Sequence, residues 1–224
     1  MLIEKEIKNV YLWEYNAFTP INYSYDFRNK SLSWVKTDWW TFTNGESYVT
    51  LDSNWIMALS WTSTWVNNPH FYKMVSWLSN ALTNGNTLKM TVQFYWTTSA
   101  WWPTNLFWIC SNLSWRDWTD LTNIAFSLMT SSWYTNWWEL VSRDWTSWAS
   151  ICKYTSSVSS WTYKFVATIN LKTGAATLQR GSETALTWNV SSYLSAIGRC
   201  DRVWCRVWHD VWTLYIQTVQ VEVS

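Results

Sequence analysis

Glycine is scarce in this chain. Only five of 224 residues are Gly and three are Pro, although an average protein carries about 7% glycine. A chain with so few turn-formers ought to be poor in tight turns. Histidine is rarer still, with two copies, and no serine or cysteine nucleophile can be assigned to the His209-Asp210 pair. A hydrogen-bonded turn is the plainer reading of that dipeptide. No apolar run approaches the ~20 residues needed to cross a bilayer. The segment MLIEKEIKNV carries acidic residues and lacks the apolar centre of a secretory signal, so synthesis and folding in the cytoplasm are expected. Net charge is +1 and the basic residues are scattered, which leaves no electrostatic footprint for nucleic acid. Four cysteines are present. Cys200 and Cys205 have a C-x4-C spacing with no second pair to complete a zinc site, and buried thiols are the expectation.

Tryptophan is abundant instead, with 24 copies. Most of them directly follow Ser, Thr, Asn or Asp, as in Asp38-Trp39, Asn54-Trp55, Ser76-Trp77, Asp117-Trp118, Asn136-Trp137, Asp144-Trp145 and Ser160-Trp161. With glycine in the second place these become the dipeptides that mark turns, because glycine reaches φ > 0 without steric cost. Two genuine glycines, in Asn44-Gly45 and Asn84-Gly85, follow the same rule. UGA is read as glycine in some genetic codes and as tryptophan in others. The pattern therefore reads as glycine positions written as tryptophan, and pooling the two residue types raises glycine to roughly 13%, a reasonable level for a turn-rich β-domain. The competing reading keeps every tryptophan and paves a sugar-binding surface with indoles.

The hydrophobic period is two almost throughout. Leu88, Met90, Val92 and Phe94 alternate with Lys89, Thr91 and Gln93; Ile124, Phe126 and Leu128 repeat the pattern, as do Tyr163, Phe165, Ala167 and Ile169. Such alternation predicts strands with one buried face. Near the C-terminus Leu214 and Ile216 share one parity while Val219, Val221 and Val223 share the other, which predicts a bulge near Gln217-Thr218. Regular strand spacing and no convincing helix point to a sandwich or barrel. Short helical turns are expected at Ser76–Leu82 and Val190–Ile197. No linker divides the chain.

Two stretches then carry a resemblance. Thr162–Val223, with its Asn170-Leu171-Lys172-Thr173-Gly174 hairpin, resembles the closing half of laminin-G-like domains of the concanavalin A-like lectin/glucanase superfamily, with Trp204, Trp208 and Trp212 where that pattern tolerates glycine. Tyr25–Thr41 is similar to the opening strand and turn of such modules in phage tail and virion proteins, and Ile7–Tyr15 looks like a short N-terminal segment of phage structural proteins. The resemblance implies an all-β, antiparallel two-sheet jelly-roll sandwich over 23–224, preceded by an attachment segment over 1–22. It implies a non-catalytic virion or tail component that binds glycan or the host cell surface, contacts other virion proteins, and forms homo-oligomers. The alternative location is the cell surface. A purely structural decoration or scaffold protein, and a glycan-cleaving enzyme of the same fold, are the alternative functions.

Retaining glucanases need paired carboxylates facing one sugar. Glu139 has only Asp144 nearby, five residues on and on the opposite strand face, while Glu183 and Glu222 stand alone. The expectation is therefore no enzyme, no nucleic-acid partner and no membrane insertion. The ligand candidates are Arg116, Asp117, Asp120 and Asn123, in a loop before the Ile124 strand, with calcium at Asp117 and Asp120 as the metal reading and a solvated turn as the competing one. A second loop candidate, Tyr134-Thr135-Asn136-Trp137-Trp138, offers Tyr134 and Asn136 as a ring and an amide for a sugar. No other cofactor is expected.

Overall fold

The computed structural model describes residues 20–43, 49–50, 58–59, 70–96, 104–110, 123–131, 134–143, 148–154, 161–206 and 214–224. Strands dominate them. One antiparallel sheet runs β13 (Leu186–Asn189), β12 (Ala175–Arg180), β11 (Trp161–Asn170), β6 (Thr87–Trp96), β15 (Leu214–Val223), β4 (Ala58–Leu59) and β3 (Val49–Thr50), with β1 (Ile21–Asp26) also paired to β15. The other runs β10 (Trp148–Tyr154), β9 (Tyr134–Arg143), β8 (Asn123–Ser131), β7 (Thr104–Cys110), β14 (Arg202–Arg206), β5 (His70–Met74) and β2 (Thr41–Thr43). Of the sandwich and barrel that the periodicity allowed, the observed architecture is the all-β two-sheet sandwich that the resemblance implied.

The alternating residues form the core. Leu88, Met90, Val92 and Phe94 of β6 are all fully buried, and Phe165, Ala167 and Ile169 of β11 lie beside them. The second sheet contributes Phe71, Phe107, Ile109, Val203 and Cys205. The phase change in β15 is a bulge: its register against β6 shifts between Ile216 and Thr218. Gln217, the extra residue, is buried, and its amide oxygen accepts from Gln93 Nε2 at 2.7 Å while its carbonyl accepts from the Phe27 N–H at 3.0 Å. The bulge thus satisfies the polar groups that it turns inward.

Tyr154 ties the two sheets together at one margin. It sits at the end of edge strand β10, and its hydroxyl lies 3.0 Å from the Leu178 carbonyl of β12 and 2.9 Å from that of Thr184. The Arg180 guanidinium covers its ring at 5.0 Å and is clamped to Glu183.

Helices are short. α1 (Leu32–Thr37) interrupts the stretch expected to be strand and turn. α2 (Leu78–Asn84) begins two residues later than the predicted helical turn, and α3 (Leu194–Ile197), entered from a 3-10 turn at Ser191–Tyr193, falls within the other. Strand β1 starts at Ile21, just ahead of the expected 22/23 boundary. The predicted turn at Gly174 is real, with φ +74° and the Gly174 N–H donating to the Asn170 carbonyl.

The tryptophans separate into distinct classes. Trp39 and Trp77 have φ of +69° and +66° and are 82% and 63% exposed. Both follow a turn-forming residue, and both occupy the backbone region that favours glycine. Trp40 is the opposite case. It is buried, with its ring 5.4 Å from Tyr25, 5.2 Å from Phe27 and 5.1 Å from Phe71.

Candidate functional site

The predicted loop before the Ile124 strand lies largely outside the described residues, and Arg116, Asp117 and Asp120 are among those not described. Asn123 is the first residue of β8. The second predicted loop is corrected by the backbone. Tyr134 and Asn136 belong to β9, and Tyr134 pairs with Ser131 across the hairpin. The aromatic-polar run that suggested a loop is the start of a strand paired with β8. His209-Asp210, Trp208 and Trp212 also fall outside the described residues.

A different cluster is assembled by α1. Ser31 caps this helix, its hydroxyl accepting the Trp34 N–H at 3.2 Å, and Val35 anchors it in the core. The helix ends at Asp38, and the left-handed Trp39 reverses the chain so that Trp40 enters the core while the Asp38 carboxylate remains near the surface. Asp38 Oδ2 accepts the Tyr25 hydroxyl of β1 at 2.6 Å and lies 3.2 Å from Lys30 Nζ. Lys73 Nζ of β5 donates to the Asp38 backbone carbonyl. Lys30 also sits 4.7 Å from the centre of the Tyr25 ring and 5.6 Å from that of Trp34, and Lys73 lies 5.6 Å from that of Tyr23.

These contacts set the charges. The Tyr25 hydroxyl and then the Lys30 ammonium hold the Asp38 carboxyl below its ordinary range. Tyr25 is pushed up, by burial first and by its bond to Asp38 next, and burial raises Tyr23 as well. Burial lowers the Lys73 ammonium, and Asp38 partly offsets this. At neutral pH the cluster therefore presents an ionised carboxylate, a lysine ammonium beside it and phenol rings. Carboxylate and ammonium can accept and donate to hydroxyls, while rings cover apolar C–H faces. Sequence reasoning missed this site. Tyr25, Lys30 and Asp38 lie in the quoted Tyr25–Thr41 stretch, but Lys73 comes from a distant strand and no spacing rule links it to them.

Asp26, Asp38, Glu183, Asp201 and Glu222 each lie within ion-pair distance of a cation, respectively Arg28, Lys30, Arg180, Arg202 and Lys89. Cys200 and Cys205 are buried free thiols whose acidity burial suppresses, so they are poor nucleophiles. No group of three metal-ligating side chains occurs among the described residues.

No family model and no curated protein matches the chain. Solved structures do. Peanut lectin is 11% identical, with 92% of this chain and 98% of that one covered and a TM-score of 0.62. The CBM2 module of the evolved Dit protein of Lactobacillus casei BL23 phage J-1 is 15% identical, with 91% and 96% covered and a TM-score of 0.58. A carbohydrate esterase from Shiga toxin-encoding bacteriophage phi24B is 11% identical, with 90% and 97% covered and a TM-score of 0.57. The fold is a lectin-like β-sandwich. At these identities the likeness concerns architecture, and function has to be argued from the site.

Proposed function

We propose that the protein is a non-catalytic glycan-binding sandwich carried on a phage tail or virion, with the Asp38 corner as its contact site. The observation that carries this reading is the Tyr25–Asp38–Lys30 cluster. It holds an ionised carboxylate and an ammonium together near the surface, above the buried Tyr25 ring, where sugar hydroxyls can use both charges. The pairing of Asp26, Asp38, Glu183, Asp201 and Glu222 with cations supports the non-catalytic half, since glycosidic cleavage needs two carboxyls aimed at one bond. Support for the setting comes from architecture shared with a lectin and with a phage Dit module. Many copies on one particle would multiply a weak single-site affinity.

The same reading holds that the chain is made where UGA is decoded as glycine. Its support is the left-handed backbone of Trp39 and Trp77, each behind a turn-forming residue. Peptide mass spectrometry of protein from its native source tests this point, with glycine expected at both positions. For binding, a glycan array and a host-cell pulldown should both give signal that Asp38→Asn reduces. Blank results in both would refute the adhesive role.

A further inference from the structure

We propose that the Asp38 corner selects a vicinal diol, two hydroxyls on neighbouring ring carbons of a sugar. The inference rests on the glycan-binding reading and names the chemical group that this site recognises.

The carboxylate is used unevenly. Both of its internal bonds fall on one oxygen: Oδ2 accepts the Tyr25 hydroxyl at 2.6 Å and the Lys30 ammonium at 3.2 Å. Oδ1 accepts no bond from any described residue and is open to solvent, on a side chain that is 33% exposed. The backbone beneath is held from two sides. The Asp38 N–H donates to the Trp34 carbonyl at 3.0 Å, and Lys73 Nζ of β5 donates to the Asp38 carbonyl. With its main chain fixed and Oδ2 gripped by two donors, the carboxylate keeps Oδ1 turned outward.

Lys30 is tethered in the same way. One of the three N–H groups of its ammonium is aimed at Oδ2, and the ammonium rests 4.7 Å from the centre of the Tyr25 ring. The ordering cost of a long side chain on ligand binding is therefore already incurred by the fold.

The two groups have opposite hydrogen-bonding sense, since a carboxylate oxygen only accepts and an ammonium only donates. The N–H aimed at Oδ2 is taken, and the other two diverge from it at the tetrahedral angle. A hydroxyl that accepts from one of these lies to the side of the carboxylate and cannot also serve Oδ1 with good geometry. Two hydroxyls can serve both, one donating to Oδ1 and its neighbour accepting from Nζ. The 3.2 Å ion pair keeps these two positions within the span of adjacent ring carbons. A gauche pair of hydroxyls fits, whereas a trans-diaxial pair splays its oxygens apart. Both bonds are charge-assisted, so losing either hydroxyl should be felt strongly.

The test uses the full chain on an array of matched oligosaccharides, in which each diol-bearing member stands beside its two monodeoxy counterparts. The diol should bind about tenfold more tightly than either monodeoxy form. Lys30→Met should level the three members, and Asp38→Asn, which keeps a neutral acceptor, should shrink the ratio to about threefold. The ratio decides the matter, because a variant that merely weakened the fold would lower all members together. Equal binding of diol and monodeoxy members by the unmutated protein, or a ratio that survives Lys30→Met, would overturn the diol assignment and leave the glycan-binding reading standing. A blank array with the unmutated protein would overturn both.

Discussion

Replacing the left-handed tryptophans with glycine should not harm the fold, whereas the same change one residue later should be ruinous. At Trp39 the backbone sits at φ +69° and the indole is 82% exposed, so truncation forfeits almost no burial. Relief of the left-handed conformation is worth about 1–2 kcal/mol, and the added freedom of glycine in the unfolded chain takes back roughly 0.5–1 kcal/mol. The net for Trp39→Gly is about 0 to +1.5 kcal/mol of stabilisation. Trp77, with φ +66°, has the same balance and also occupies the residue before α2, where glycine is tolerated. Trp40→Gly removes a buried ring from contact with Tyr25, Phe27 and Phe71. Large-to-small changes of this kind cost about 3–5 kcal/mol, and the glycine backbone adds roughly 0.5–1 kcal/mol. Urea denaturation midpoints of the three variants measure this directly. A loss above about 1 kcal/mol for Trp39→Gly or Trp77→Gly, or a mild effect of Trp40→Gly, would refute the division.

Glycine itself offers a second contrast. Gly174→Ala would place a Cβ 2.4 Å from the Ser191 backbone nitrogen at φ +74° and should cost more than about 2 kcal/mol in denaturant melts, while Gly181→Ala, at φ +54° with nothing within 4 Å, should cost only about 1 kcal/mol. Tyr154→Phe removes the hydroxyl joining β10 to β12 and should lower stability by about 1–2 kcal/mol in the same assay, with the sheets intact by circular dichroism. The pH dependence at Asp38 has a defined sign. Its folded pKa is depressed, so its contribution is complete above the unfolded carboxyl value of about 4 and is lost as pH falls through the lower folded value. Glycan binding at the corner should therefore persist through pH 4 and fade below it, and a midpoint at or above the ordinary value would count against an ionised Asp38 as the contact group.

The strands were legible because their burial is one-sided. In β6 the alternating residues are the fully buried ones, and the parity break in β15 became a bulge filled by Gln217. The helices were harder to read. α1 is six residues long, stabilised by a Ser31 cap and the single buried Val35, too little to register as a helical period. The loop placement of Tyr134–Trp138 failed for a related reason. Tyr134–Trp138 reads as polar and aromatic, but its pairing with β8 commits it to β9, and that pairing is a tertiary fact. The Asp38 corner depends on Lys73 meeting Asp38 through the pairing of β5 with its sheet, a tertiary fact that no local spacing contains.

The identity of the exposed tryptophans bears on the corner only in part. Trp34 and Trp39 are the indoles that stand out to solvent there, at 58% and 82% exposure. If both positions are glycine, stacking on indole disappears, but Tyr25 still bonds Asp38 and Lys30 still lies over the Tyr25 ring. The reversal at residue 39 remains as well, since a left-handed backbone is what glycine adopts most readily. Trp40 is required on either reading, because its ring packs beneath Tyr25 and Phe27 and holds the strand that presents the hydroxyl. What the molecule conserves between the two readings is therefore the polar half of the site and the aromatic core below it. Recognition built on that half is directional and charge-dependent, which sets it apart from an indole-paved surface that would grip any sugar offering an apolar face.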